Sequence, residues 1–147
     1  MNTKKGFTII ELIVVIAIIA VLAGIVMVNV TQYIAKGKDA AIKGNLSTLL
    51  TNGAVWAETS NDYTNFVAST TVGCGAGSPV VTAVTAASSS LFCSATATTG
   101  AKWVGCAVLK SDSTNAFCVD SSGAKTTVVA TDCTSANVTG KDACSGL

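Results

Sequence analysis

The sequence of 147 residues contains no histidine and no arginine. The first absence removes the side chain most used as a general base and metal ligand near neutral pH. The second removes the planar fork that clamps carboxylates and phosphates at two points. Charge is scarce as well. Only 12% of residues are charged and the formal net charge is +1, which argues against a nucleic-acid binder held by phosphate contacts. Proline occurs once, at Pro79, so no proline interrupts a helix before that point. Without histidine, paired carboxylates or an isolated cysteine nucleophile, nothing resembles a catalytic constellation. The sequence points to no enzyme and to no cofactor.

What is present begins at the amino terminus. Met1 to Gly6 form a short basic leader with Lys4 and Lys5, followed by Phe7-Thr8-Ile9-Ile10-Glu11 and an unbroken apolar run from Leu12 to Val28. As a helix that run is about 26 Å long at about 1.5 Å per residue. With Phe7 to Ile10 added it reaches the roughly 30 Å of a bilayer core. It reads as a membrane-spanning helix whose lysines stay on the cytoplasmic side. Glu11 is the exception inside it, because a carboxylate in lipid is expensive and marks a functional position with a partner to name. Cleavage between Gly6 and Phe7 would create an α-amine four residues before Glu11, one helical turn away. That amine, on the same copy or on a neighbour, makes both charges tolerable in a low-dielectric layer. The competing readings are a glutamate that snorkels to the interface or stays protonated, and an ordinary secretory signal cut near Ala20 to Gly24. The second lacks a clean A-x-A triplet and needs a shorter apolar run.

The stretch Lys-Lys-Gly-Phe-Thr-Ile-Ile-Glu-Leu ahead of a long apolar helix resembles the amino-terminal signature of type IV prepilins and the related pseudopilins. The resemblance covers about thirty residues closely and the rest in general plan. It implies that a membrane-embedded prepilin peptidase cleaves after Gly6 and that Phe7 is N-methylated. It also implies that Glu11 neutralises the amino terminus of a neighbouring copy during assembly. The implied partners are copies of this chain in a helical homopolymer, the peptidase, the pilus assembly machinery and, before assembly, the lipid bilayer. Filaments of this family serve adhesion, twitching motility or DNA uptake. A pseudopilin of a type II secretion system, a minor pilin and a membrane-anchored binding domain that never polymerises are the alternatives. In type IV pili the helix often carries a mid-helix proline and melts there. This chain lacks it, leaving Gly24 with Val28 to Thr31 as the candidate.

The expected organisation is a leader at 1–6, a transmembrane or filament-core helix at 7–30, its amphipathic continuation at 31–58, and an exterior domain at 59–147. Ile42, Leu46, Leu49, Gly53 and Trp56 recur at helical spacing, so one helix is expected from Phe7 to about Glu58. Between Asn61 and Ala101 the Ser, Thr, Ala and Gly content makes loop and short strand hard to separate, with Val80 to Val84 the candidate strand. Clearer strands follow at Lys102 to Lys110, Asn115 to Asp120 and Lys125 to Ala130, divided by turn residues. The predicted class is therefore α+β, a three-stranded antiparallel meander packed on the helix. Trp103, Leu109, Phe117 and Val119 are its expected core.

All six cysteines, Cys74, Cys93, Cys106, Cys118, Cys133 and Cys144, lie beyond the apolar helix. An even count there reads as a disulfide framework made outside the cytoplasm. No spacing is short enough for a structural metal site. Six cysteines allow fifteen connectivities. Nearest-neighbour reasoning gives Cys106 with Cys118 across a hairpin, Cys133 with Cys144, and Cys74 with Cys93. Of three glycosylation sequons, at Asn29, Asn45 and Asn137, only Asn137 falls in the exterior tail. Asp112, Asp120, Asp132 and Asp142 are too scattered to suggest a calcium site.

Overall fold

The computed structural model describes residues 6–60, 62–87, 89–95, 100–139, 141 and 143–147, with the side chain of Val28 excepted. A single helix, α1, covers Ile9–Thr59. The chain divides within it into two compact units, Met1–Ile34 and Ala35–Leu147.

In the first unit every described side chain is exposed. Ile10 is 74% and Ile19 58% exposed, although the most apolar 18-residue window of α1 has a mean hydropathy of 3.2. A helix apolar on all sides buries its surface in lipid or against other helices, never in water. Gly24 is helical, and nothing lies within 4 Å of where its Cβ would be.

In the second unit α1 buries the expected stripe. Ile42, Leu46 and Leu49 are fully buried and Trp56 is half-buried. Gly53 makes room for the Trp103 indole, since a Cβ there would sit 2.7 Å from its Cζ2. Helix α2, Tyr63–Ala68, starts where the Asp62 side chain accepts the Thr64 N–H. Phe66 of α2 packs against Trp103, ring centroids 5.2 Å apart. Helix α3, Pro79–Ala86, lies where a strand was expected over Val80 to Val84. Ser78 caps it by accepting the Val81 N–H, and Pro79 occupies the first turn, where its missing N–H is harmless. Val80 and Val84, four apart, form its buried face.

The sheet has four antiparallel strands rather than three, in the order β1-β2-β3-β4. They are Leu91–Ala95, Trp103–Val108, Asn115–Asp120 and Lys125–Val129. Strand β1 comes from the Ser- and Ala-rich stretch whose composition does not distinguish strand from loop. Side chains alternate between two cores, as the strand period of two requires. One face, with Trp103, Ala107 and Val119, packs on α1, α2 and α3, and Leu109 and Phe117 join it. The other face, with Val104, Cys106, Ala116 and Cys118, is covered by the tail around Cys133, Val138 and Cys144. Within that tail are α4, Ser135–Val138, and a 3₁₀ turn, Cys144–Gly146.

The bridges join Cys74 to Cys93, Cys106 to Cys133 and Cys118 to Cys144. Two nearest-neighbour expectations, Cys106 with Cys118 and Cys133 with Cys144, are therefore corrected. Cys106 and Cys118 are indeed register partners across β2 and β3. Their side chains stand side by side on the tail-facing surface, and each meets one cysteine of the tail that lies over them. Each closes a longer loop, 27 and 26 positions, than the pairings that sequence proximity favours.

Candidate functional site

The amino-terminal site is built by a reciprocal cap. Thr8 precedes the first helical residue, and Glu11 sits three positions later. The Glu11 carboxylate, through Oε2, accepts the Thr8 N–H at 2.9 Å and the Thr8 hydroxyl at 2.8 Å. In return Thr8 Oγ1 accepts the Glu11 N–H at 3.3 Å. This is a capping box, in which two otherwise orphaned helix donors are satisfied by paired side chains. It starts α1 at Ile9, which leaves Gly6 and Phe7 exposed and outside the helix. The Gly6–Phe7 peptide is thus accessible backbone. Glu11 also lies against the N–H of the residue next to Phe7, so an amine freed at Phe7 would begin one peptide unit away. Among the described residues Oε1 of Glu11 has no hydrogen-bond partner.

Gly6, Phe7 and Glu11 are thereby brought together at one helix start. Thr8 is the member that residue-by-residue reading passed over, although Thr-x-x-Glu ahead of an apolar run is a sequence signal for a capping box. Leu12 to Val26 continue from this start as an exposed apolar surface.

In the second unit three aspartates hold main-chain donors. Asp39 of α1, 6% exposed, accepts the N–H groups of Lys110 and Ser111 and the Ser111 hydroxyl, holding the β2–β3 turn to the helix. No local signal betrays it, because its partners lie 71 and 72 positions away. Asp112 is occupied by its own turn, and Asp120 by its own turn and by the Cys144 N–H. Among the described residues no cluster of three or more His, Cys, Asp or Glu side chains is arranged to hold a metal ion. The sequon asparagines donate to main-chain carbonyls: Asn29 to Ile25, Asn45 to Ala41 and Asn137 to Thr131.

Residues 1–27 match the family model described as the prokaryotic N-terminal methylation motif. The chain is 47% identical over 47 residues, 32% of its length, to the type IV major alpha-pilin of Moraxella bovis, and equally to fimbrial protein Q of the same organism. It is 40% identical over 65 residues, 40% of its length, to a fimbrial protein of Moraxella nonliquefaciens. These matches span 30%, 30% and 42% of the relatives' own lengths, less than half of each. No solved structure matches the chain. In its first 27 residues the chain therefore carries the prokaryotic N-terminal methylation motif, and over its amino-terminal third it is similar to type IV pilins and fimbrial proteins.

Proposed function

We propose that the chain is the structural subunit of a type IV pilus filament. On this reading residues 7–30 hold it in the cytoplasmic membrane, with Lys4 and Lys5 inside. A prepilin peptidase then removes residues 1–6 and methylates the Phe7 amine, and the subunit polymerises through its apolar helix to form a filament on the cell surface. The observation that carries the proposal is the conjunction at one helix start. A cleavable Gly6–Phe7 peptide, a carboxylate at Glu11 and an exposed apolar helix occur in that order, within a segment similar to named pilins.

The physical logic of assembly follows. Apolar side chains that lipid covers before assembly are covered by neighbouring helices afterwards, and head-to-tail contacts that do not close generate filaments. Glu11 supplies register, since burying a carboxylate is tolerable only where a neighbour's Phe7 amine meets it. Gly24 is the proposed place where α1 opens in the filament. Glycine is a poor helix former, and just beyond it the Asn29 amide and Thr31 hydroxyl donate to the carbonyls of Ile25 and Met27, which loosens a helix.

The test is Glu11→Ala in a host that assembles the filament. Membrane insertion should be unchanged, by fractionation, while sheared surface filament falls to a small fraction of wild type. Normal filament yield in that variant would remove the proposed role of Glu11.

A further inference from the structure

The turn between β3 and β4 is built around Asp120, whose side chain is only 2% exposed. Its Oδ1 accepts the Ser122 N–H at 2.9 Å, the Ser122 hydroxyl at 2.5 Å and the Ala124 N–H at 3.3 Å. All three donors lie within four residues, so the cradle that orients the carboxylate forms together with the hairpin. Oδ2 does something different. It accepts the Cys144 N–H at 2.9 Å, from 24 positions away. Asp120 and Cys118 are two residues apart on β3 and so share a face of the sheet, and Cys144 is bonded to Cys118.

Four cysteines meet on this face. Cys106 and Cys118 come from the strands and Cys133 and Cys144 from the tail, while Cys74 and Cys93 pack against the other core. Four thiols pair in three ways. Proximity along the chain favours Cys106 with Cys118, which the register sets directly opposite. Crossing the tail would give Cys106 with Cys144. Neither is the native arrangement, so something other than proximity selects it.

We propose that Asp120 selects the disulfide connectivity: its carboxylate, held by the turn, docks the Cys144 N–H, delivers that sulfur to Cys118 and leaves Cys133 for Cys106. The oxidant is a disulfide such as glutathione disulfide. One protein thiolate attacks it, forms a mixed disulfide and releases one glutathione thiolate. The second protein thiolate then attacks the cysteine sulfur of that mixed bond and expels the second glutathione. Two protein thiols lose two electrons and two protons, and the oxidant takes them up as two thiols. Asp120 is a positioning residue in this sequence, raising the local concentration of Cys144 at Cys118.

Asp120→Asn tests it. The asparagine Oδ1 can still receive the three turn donors, but its amide NH₂ then faces the Cys144 N–H, donor against donor. The full chain in detergent is reduced in denaturant and reoxidised in a glutathione buffer, and its bridges are mapped by peptide mass spectrometry. Wild type should return Cys106–Cys133 and Cys118–Cys144. Asp120→Asn should lose about tenfold in the ratio of native to non-native isomers, as removal of a hydrogen bond to a charged group implies, with Cys106–Cys118 gaining most. The readout is covalent, so a variant that folds poorly still yields a map. Asp39→Ala, which weakens the same unit at the β2–β3 turn, should keep the wild-type map. An unchanged isomer ratio in Asp120→Asn overturns the proposal, and so does equal scrambling in Asp39→Ala.

Discussion

Among single residues, carboxylates carry most of the specificity, and each does so through backbone donors. Glu11 closes the capping box with Thr8, Asp39 ties α1 to the β2–β3 turn, and Asp120 ties β3 to the tail. Replacing Asp39 with alanine leaves two main-chain donors and a hydroxyl without their acceptor. We expect a loss of about 2 kcal/mol in chemical denaturation of the subunit, in line with hydrogen bonds to a charged group. A loss below about 0.5 kcal/mol, the range of ordinary surface changes, would show that water replaces the clasp freely. Asp120 and two further aspartates, Asp62 and Asp112, set the acid side of the stability profile. In Asp62 and Asp112 the hydroxyls and N–H groups of Thr64 and Thr114, joined for Asp112 by the Asn115 amide, hold the carboxyl below its usual value of 3.8. In Asp120 burial pushes the value up, and bonds from Ser122, Cys144 and Ala124 outweigh it, so it too is lowered. A depressed folded value stabilises above the unfolded value and is lost as pH falls through the folded one. Stability should thus stay level from neutral pH to about 5 and decline below about 4. A profile that rises on acidification contradicts these assignments.

Secondary-structure elements were legible in the sequence wherever periodicity was strong. The stripe Ile42, Leu46, Leu49 is the face α1 buries, and β3 begins and ends at Asn115 and Asp120 as read. Strand β1 and helix α3 were not legible, for different reasons. Leu91–Ala95 is short and flanked by small polar residues, so its pairing with β2 is a tertiary choice. Val80 to Val84 reads as a β-branched run, but Ser78 and Pro79 form a start signal that turns it into a helix. The Cys106–Cys133 and Cys118–Cys144 bridges escaped because the sheet is covered on both faces, which no alternation along one strand reveals. Glycine substitution in α1 separates packing from propensity. Gly44 has nothing within 4 Å of its missing Cβ, so Gly44→Ala should stabilise the isolated subunit by up to about 1 kcal/mol. At Gly53 the same methyl meets the buried Trp103 ring, and overpacking of about 1 to 3 kcal/mol exceeds that gain. Thermal denaturation of the two variants should therefore move in opposite directions. Stabilisation at both positions would mean that the indole shifts aside easily.

At the scale of the whole molecule, the two units present opposite solutions to apolar burial. The second encloses its apolar residues between α1 and the two faces of one sheet and holds its tail by two bridges. Among its described residues the first encloses none, and its apolar side chains stand exposed. Gly6, Phe7 and Glu11 could be nominated from the sequence because the chemistry proposed for them depends on local spacing. Asp39 and Asp120 were not, since their distant partners meet them only in the folded unit. The central claim is that this helix start is processed for polymerisation. Intact-mass and amino-terminal peptide mass spectrometry of protein from its native host tests that most directly. A chain that begins at Phe7 and is heavier by one methyl group is the predicted result. A chain that still begins at Met1, or one that begins near Gly24, would contradict it.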